Sequence, residues 1–296
     1  MSNYQDLKKR LLKNKGIKKE YDRLRPEYEL LDKIISFARK ELDITNPAQL
    51  EKNIAELKPN ILINTSAYHV VPKCEEKPEL AFLINSIAVH QAAKICQKYQ
   101  IQFVTYSTDY VFDGTKRSPY IEDDYPNPLQ IYGLSKLAGE YAVLNYYPKK
   151  SFVIRTCSLY GGKEGSPQKG GNFVLSIIEQ VKKQTVTEVA CEQIISPTYA
   201  GDLSKATLKL LKKNTKGGIY HLVNEGHCSW YQFAREILKL AKIDKKLVPV
   251  DRGGLSGAMH RPKFSALQNT KAKKLGIVLP SWQKGLRSYF AEVRQR

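Results

Sequence analysis

Several features are missing from this sequence of 296 residues. No apolar run approaches the roughly 20 residues that span a bilayer, and the first ten residues lack the apolar core of a signal peptide. The five cysteines are scattered, with no Cys-x-x-Cys pair, and neither they nor the five histidines show metal-ligand spacing. We therefore expect a cytoplasmic protein with reduced thiols, no membrane segment and no metal, in which Cys96 and Cys157 belong to the core.

Glycine is scarce in the first part of the chain, where Gly16 is the only glycine before Gly114. A dinucleotide-binding fold normally opens with a strand, a glycine-rich turn that lets the backbone approach a pyrophosphate, and a helix whose N-terminus faces it. Gly16 lies in a charged helical pattern and follows no apolar strand, and the glycine-rich stretch at 253–257 comes far too late. The sequence thus contains no phosphate-binding turn of this kind.

The formal net charge of +19 comes from 48 lysines and arginines against 29 acidic residues. A nucleic-acid partner is one interpretation, and a DNA-binding protein remains an alternative. However, the lysines are spread along helical patterns, with short basic blocks only at 8–10 and 18–19. We interpret the charge as a solvated, lysine-rich surface that also attracts anionic nucleotides.

Residues 1–37 differ from the rest of the chain. They show two amphipathic helical patterns joined near Arg25-Pro26, the second including Ile34 and Ile35, and no strand pattern. This segment resembles the leader helices of some helix-turn-helix antitoxins, but no helix-turn-helix follows it. We predict a helical leader outside the main fold.

From residue 38 onward, strands alternate with helices. The pattern predicts a helix after Asn46 with Leu50, Ile54 and Leu57 buried, a fully apolar strand at 61–64, and then further elements. These are helix 79–99, strand 101–107, helix 131–146, strand 152–156, helices 172–184 and 201–213, strand 219–223, and helices 230–242 and 282–294. Alternation of this kind favours right-handed βαβ units in a doubly wound parallel sheet. We predict a core over 38–160 and a mixed C-terminal part over 161–296.

One stretch carries chemistry-bearing residues in a fixed order. Ser-Thr-Asp-Tyr-Val-Phe-Asp-Gly at 107–114 ends a buried strand, and Tyr132 and Lys136 lie four residues apart at the start of a helix. Positions i and i+4 share a helix face, and an ammonium beside a phenol favours the phenolate. The pair could therefore serve proton transfer near neutral pH, although an exposed helical pair is the alternative when the spacing is taken alone.

Together with Tyr-Gly-x-Ser-Lys-x-x-Gly-Glu at 132–140 and Arg155-Thr156, the stretch resembles the extended short-chain dehydrogenase/reductases, and among them the dTDP-4-dehydrorhamnose reductases. The resemblance covers residues 39–290. It implies a Rossmann-like α/β fold that here lacks its first βα unit, and a small C-terminal α/β substrate lobe. It also implies a catalytic set of Thr108, Tyr132 and Lys136, in which Lys136 lowers the pKa of Tyr132.

The resemblance implies binding residues as well. On the cofactor side, for NADPH or NADH, these are Asp43, Ile44, Ser66, Ala67, Tyr68, Tyr132 and Lys136. On the substrate side, for a nucleotide sugar, they are Thr108, Asp109 and Arg261, while Asn85 has a structural or cofactor-side role. The sequence departs from the family pattern on the substrate side, at His69, Pro72, Ser158, Glu192 and Ile195.

Two functions follow as hypotheses. The first is NAD(P)H-dependent reduction of a 4-keto-6-deoxy nucleotide sugar, in the simplest case dTDP-4-dehydro-L-rhamnose to dTDP-L-rhamnose. The second is a catalytically impaired nucleotide-sugar-binding or regulatory subunit, like the regulatory partner of methionine adenosyltransferase, because the glycine-rich turn is missing. A homodimer is compatible with either hypothesis.

Overall fold

The computed structural model describes residues 34–162, 171–213, 215–256 and 259–294, with Asn14, Gly16 and Lys18 as isolated positions. The chain divides into two units, residues 1–43 and residues 44–296. In the first unit, residues 34–38 form neither helix nor strand, and Ile34 and Ile35 are exposed. The prediction that these two residues continue a helix is therefore wrong. The rest of the predicted leader lies outside the described residues.

The second unit is built around a parallel sheet of four strands. The strands are β1 (Ile61–Asn64), β2 (Gln102–Thr108), β3 (Ser151–Thr156) and β8 (Gly218–His221), in the order β1-β2-β3-β8. The register aligns Thr105 with Asn64 on one side and with Val153 on the other. Since all four strands are parallel, their carboxyl ends lie along the same edge of the sheet.

Helices connect and cover these strands. They are α1 (Pro47–Leu57), α2 (Val71–Glu76), α3 (Pro78–Phe82), α4 (Ala88–Lys98), α5 (Ile131–Tyr146), α6 (Phe173–Lys183), α7 (Ala200–Leu211), α8 (Trp230–Ala241), α9 (Thr270–Lys274) and α10 (Trp282–Arg294). A π-helical turn, Leu83–Ile87, joins α3 to α4, so the predicted helix 79–99 is one helix with a widened turn. Such turns interrupt the 3.6-residue period that the sequence pattern assumes.

The sheet carries helices on both faces. Val104, Phe152 and Ile154 pack with Leu203 and Leu210 of α7 in one hydrophobic cluster. Ser107 and Arg155 point to the opposite face, because side chains alternate along a strand, and there they contact α5. The predicted α/β class with a parallel sheet is therefore confirmed.

The edge strand β1 differs from its prediction. A fully apolar strand of the kind found in buried parallel sheets was predicted at 61–64, but Ile63 is 38% exposed. Among the described residues, β1 pairs with β2 alone. Leu57 at the end of α1 is likewise exposed instead of buried.

Local sequence signals account for several helix ends. The Asn46 side chain accepts a hydrogen bond from the Gln49 N–H, with Pro47 as the first helical residue, as predicted. Ser229 and Gln232 form a reciprocal capping box at the start of α8. The predicted helix at 230–242 is therefore confirmed, with Ser229 as its N-cap.

Short strands complete the C-terminal part. They are β4 (Leu159–Tyr160), β5 (Thr187–Ala190), β6 (Ile194–Ile195), β7 (Thr198–Tyr199), β9 (Cys228–Ser229), β10 (Leu247–Val250), β11 (Leu255–Ser256) and β12 (Met259–His260). A separate hydrophobic cluster joins α6, α8 and α10 around Phe233 and Leu286. In the part of the chain that the structure describes, no helix has the length and apolar character needed to cross a membrane.

Candidate active site

The site begins where β2 ends. Thr108 is the last residue of the strand, and a single 3-10 turn, Asp109–Val111, follows it. The Thr108 hydroxyl accepts a hydrogen bond from the Tyr110 N–H at 3.2 Å, which stabilises the turn. This places the predicted catalytic threonine at the carboxyl edge of the sheet, where open α/β sheets bind their ligands.

Tyr132 reaches the same place from the first turn of α5. Its ring lies edge-on to the Tyr110 ring, with centroids 6.0 Å apart, and the nearby Thr108 side chain lowers the pKa of its phenol against the larger effect of burial. Gly133 makes this approach possible, because a Cβ at that position would lie 2.1 Å from the Tyr110 carbonyl oxygen. The structure thus brings two of the three predicted catalytic residues close together.

Lys136 lies one helical turn further along α5 and is 4% exposed. Burial lowers its pKa to about 8, against the opposing effect of the Glu140 carboxylate. Burial also raises the pKa of Tyr132, and Lys136 is not among the groups that lower it. The structure therefore does not show the expected depression of the Tyr132 pKa by Lys136, since desolvation of the phenol outweighs the nearby polar groups.

Asp109 follows Thr108 in the chain, and its side chain is buried in the protein interior. Its carboxylate accepts hydrogen bonds from the Thr108 hydroxyl at 3.1 Å, from the Cys157 thiol at 3.1 Å, and from Ser265. The residue is 4% exposed, and burial raises its pKa. Asp109 thereby orients the Thr108 hydroxyl, and its expected substrate-side role stays a prediction.

The segment Ser66–Tyr68 follows β1 at the same edge of the sheet. The Asn85 side chain accepts from the Tyr68 N–H and donates to the Tyr68 carbonyl, both at 2.9 Å, and also donates to the Ser135 hydroxyl at 3.0 Å. Asn85 thereby links this segment to the residue before Lys136. The predicted cofactor-side segment and the catalytic helix are held together through one buried amide.

Arg261 approaches the site from the C-terminal part. Its guanidinium lies beside the Tyr110 phenol and lowers the pKa of that phenol against the effect of burial, while its buried Nε has no partner among the described residues. A buried donor without a partner has a free-energy cost, and an anionic group would satisfy it. This geometry fits the predicted substrate-side position of Arg261.

The remaining predicted positions are less directly connected to the site. Asp43 belongs to the first unit, where it forms an ion pair with Arg39 at 3.5 Å. Ile44 is half-buried in a turn before α1. Their roles stay predictions. Ser158, one of the departures from the family pattern, adopts a left-handed conformation with φ of 45°.

The residues of the site suit one half of a nicotinamide cofactor better than the other. Tyr132, Lys136 and Ser66–Tyr68 provide a phenol, an ammonium and strand-end backbone along one sheet edge, which suits the nicotinamide ribose. The pyrophosphate is different, because no glycine-rich turn precedes β1 in the sequence. The residues thus fit the reactive half of such a cofactor, and the described part of the chain shows no cradle for its phosphates.

Sequence reasoning gave no role to Glu140 and Arg155, which form a buried ion pair beside the site. Arg155 donates from Nε and Nη2 to the two carboxylate oxygens of Glu140, and both side chains are about 1–2% exposed. The sequence contains one signal for this pair. Glu140 is a carboxylate eight residues after Tyr132, on the predicted buried face of the same helix, where it needs a cationic partner.

Gly133→Ala tests the close approach of α5 to the turn. An alanine normally stabilises a helix by about 1 kcal/mol relative to glycine, but here its Cβ would lie 2.9 Å or less from two backbone atoms of Tyr110. We expect a net loss of about 1–3 kcal/mol in the free energy of unfolding, measured by urea titration. Asn145→Ala, at an exposed position of the same helix, should show no such loss. Equal stability of both variants would contradict the close contact.

Comparison with known proteins places the chain in a family. A profile described as the RmlD substrate binding domain matches residues 24–295. The spore coat polysaccharide biosynthesis protein SpsK of Bacillus subtilis is 33% identical over 259 residues, with 88% of each chain covered. The dTDP-4-dehydrorhamnose reductase of Escherichia coli is 32% identical, with 85% of each chain covered.

Solved structures agree with this assignment. The dTDP-4-dehydrorhamnose reductase of Bacillus anthracis, crystallised in complex with NADP, superposes with a TM-score of 0.82 at 37% identity, covering 88% of this chain and 90% of that one. A UDP-glucose 4-epimerase of Thermotoga maritima shares the fold, with a TM-score of 0.73 at 20% identity. The chain belongs to the RmlD substrate-binding domain family, that is, to the dTDP-4-dehydrorhamnose reductases among the extended short-chain dehydrogenase/reductases.

Proposed function

We propose that this protein reduces the 4-keto group of a 4-keto-6-deoxy nucleotide sugar with NADPH or NADH, in the simplest case converting dTDP-4-dehydro-L-rhamnose to dTDP-L-rhamnose. The observation that carries the proposal is that Thr108, at the carboxyl end of β2, lies beside the buried Tyr132 phenol, with Lys136 on the same face of α5. Relatives with 31–33% identity carry the name dTDP-4-dehydrorhamnose reductase.

Each residue has a separate role in this proposal. Thr108 would donate a hydrogen bond to the substrate carbonyl oxygen, after its hydroxyl rotates away from Asp109. Tyr132, whose pKa burial raises, is protonated at neutral pH and would donate its proton to the oxygen as negative charge develops there. A bound nicotinamide cofactor supplies the hydride. Arg261, beside Tyr110, would bind the anionic part of the nucleotide sugar.

The direct test uses the purified protein with NADPH, NADH and dTDP-4-dehydro-L-rhamnose. We expect loss of the 340 nm absorbance of the reduced cofactor and formation of dTDP-L-rhamnose, identified by chromatography against a standard. A parallel titration should measure cofactor binding alone, by tryptophan fluorescence or calorimetry. Cofactor binding without turnover of this sugar would move the proposal to another 4-keto sugar, and absence of both would overturn it.

A second candidate is a nucleotide-sugar-binding or regulatory subunit without catalytic activity. The sequence lacks a glycine-rich turn, and such a turn normally contributes charge-assisted hydrogen bonds to phosphate of about 1.5–3 kcal/mol each. Losing two or three of them would weaken cofactor binding by several decades, because about 1.4 kcal/mol is a factor of ten.

The two candidates differ in a measurable way. A regulatory subunit should bind dTDP-sugars in calorimetry while showing no cofactor binding at millimolar NADPH. A reductase should bind both ligands, with a cofactor affinity weakened by the missing contacts. Turnover that disappears in Tyr132→Phe would exclude the second candidate.

A further inference from the structure

The catalytic helix carries a third buried polar residue in line with Tyr132 and Lys136. Tyr132, Lys136 and Glu140 are spaced four residues apart on α5, so they form one stripe along its buried face. Lys136 is 4% exposed and Glu140 is 2% exposed. A buried lysine therefore lies between the reacting phenol and a carboxylate.

Glu140 is held in place by two neighbouring strands. Arg155 of β3 donates to its carboxylate at 2.9 Å from Nε and at 2.6 Å from Nη2, and Ser107 of β2 donates to the same carboxylate at 2.5 Å. Ser107 and Arg155 are direct partners in the β2–β3 register. The Arg155 guanidinium also lies 5.1 Å from the centre of the Phe112 ring. The Glu140 carboxylate is thus held in a fixed position one helical turn beyond Lys136 on α5.

Charged groups near the stripe belong to several elements and act on different members of it. Among the described residues, the Glu140 carboxylate on the same helix is the charged group that raises the pKa of Lys136. Asp109 and Cys74, from the turn after β2 and from α2, act instead on Tyr132. The positive charge of Arg155, on β3, is engaged directly by Glu140. Since burial acts against the ammonium form of Lys136, the Glu140 carboxylate is the group that opposes this effect.

We infer that Glu140 is a positioning residue of the active site, whose carboxylate, fixed by Arg155 and Ser107, keeps the buried Lys136 side chain in its charged ammonium form. The consequence for catalysis rests on the proposed function: an ammonium at Lys136 would donate stronger hydrogen bonds to the ribose of a bound nicotinamide cofactor than a neutral amine would. The charge state of Lys136 itself is independent of that function.

The test measures the titration of Lys136 in the protein without cofactor or substrate. Protein labelled with ¹³C at the lysine Cε is titrated between pH 5 and 11 by NMR, and the Lys136 signal is assigned by its loss in Lys136→Met. In Glu140→Gln we expect the Lys136 midpoint to fall by at least about one pH unit, because an opposite charge nearby shifts a pKa by about 1–3 units. Glu140→Asp, which keeps the negative charge, should restore most of the wild-type Lys136 midpoint.

Two further variants separate charge from folding. Glu140→Gln leaves Arg155 buried without its partner and can unfold the protein. The double variant Glu140→Gln/Arg155→Met, in which both charges are absent, is therefore measured as well. The Lys136 midpoint of the double variant should also fall. Glu179→Gln is the matched control, since Glu179 pairs with Lys183 at 2.5 Å on the exposed surface of α6. It should leave Lys136 unchanged.

The direction of the pH effect is fixed. The ammonium form is complete below the midpoint and is lost as the pH rises through it, so a lower midpoint makes the loss begin at lower pH. If the protein turns over substrate, the alkaline limb of its pH–rate profile should move to lower pH by the same amount in folded Glu140 variants. A Lys136 midpoint in the folded double variant equal to that of the wild type would overturn the inference, whether or not the protein is a reductase.

Discussion

Replacing Tyr132 by phenylalanine is expected to lower the turnover number for the 4-keto sugar by about 10²–10⁴-fold, because a positioned proton donor contributes a factor of this size. Phenylalanine keeps the ring that packs edge-on against Tyr110. The variant therefore loses only the phenol hydroxyl group beside Thr108, while the shape of the site is conserved. Stopped-flow or steady-state measurement of NADPH oxidation at saturating substrate would record the loss.

The matched control is Tyr141→Phe on the same helix. Tyr141 is 49% exposed and lies nine residues from Tyr132, on the surface of α5. Its hydroxyl group has no part in the site, so turnover should stay at the wild-type value. Binding of the cofactor, measured separately by calorimetry, should change little in either variant, because the lost group acts on the reacting oxygen.

The outcome distinguishes between roles for Tyr132. A turnover number within about threefold of the wild type would contradict proton donation by Tyr132. Thr108→Val would then show whether the Thr108 hydroxyl alone polarises the carbonyl. A loss of turnover together with a loss of cofactor binding would instead mean that Tyr132 holds the cofactor in place.

Much of the main fold could be predicted because local signals agree with the tertiary structure. Helix α5 was predicted at 131–146, and the structure has the same bounds. Strands β2 and β3 were placed within one residue at each end. Buried parallel strands are short and continuously apolar, and the helices between them are amphipathic, so each element carried its own signature.

The parts that failed depend on contacts between distant segments. The buried pair joins Glu140 on a helix to Arg155 on a strand, and no local pattern indicates that they meet. The orientation of Asp109 depends on Cys157 and Ser265, which lie 48 and 156 positions further along the chain. The exposure of Ile63 depends on which segments cover that face of the sheet, and the sequence of β1 itself carries no signal for that.

Burial also changes the pKa values of the site residues more strongly than the sequence suggested. A tyrosine and a lysine four residues apart predicted a phenol with a lowered pKa, yet burial raises the pKa of Tyr132 and lowers that of Lys136. Both shifts favour the uncharged forms. A protonated phenol is the form that reduction of a ketone requires, since the phenol gives up its proton to the product oxygen.

Arg155→Met is expected to lower the free energy of unfolding by about 3–5 kcal/mol, because it leaves the Glu140 carboxylate buried without its cationic partner. Only the Ser107 hydroxyl would still donate to that carboxylate. Urea unfolding followed by circular dichroism would give the difference. The matched control is Lys183→Met, which also replaces the cation of a close pair, Glu179–Lys183 at 2.5 Å, but at an exposed position; no measurable loss is expected there.

The double variant Glu140→Leu/Arg155→Met decides whether the loss comes from an unpaired charge or from poor packing. Replacing a whole buried ion pair by apolar residues is often neutral or even stabilising, so the double variant should recover most of the stability that Arg155→Met loses. If it is as unstable as the single variant, the contact of the guanidinium with Phe112, 5.1 Å from the ring centre, matters more than the pairing. Recovery of stability together with a low Lys136 midpoint would show that the Glu140 carboxylate matters for the charge of Lys136, whereas the ion pair adds little to the stability of the fold.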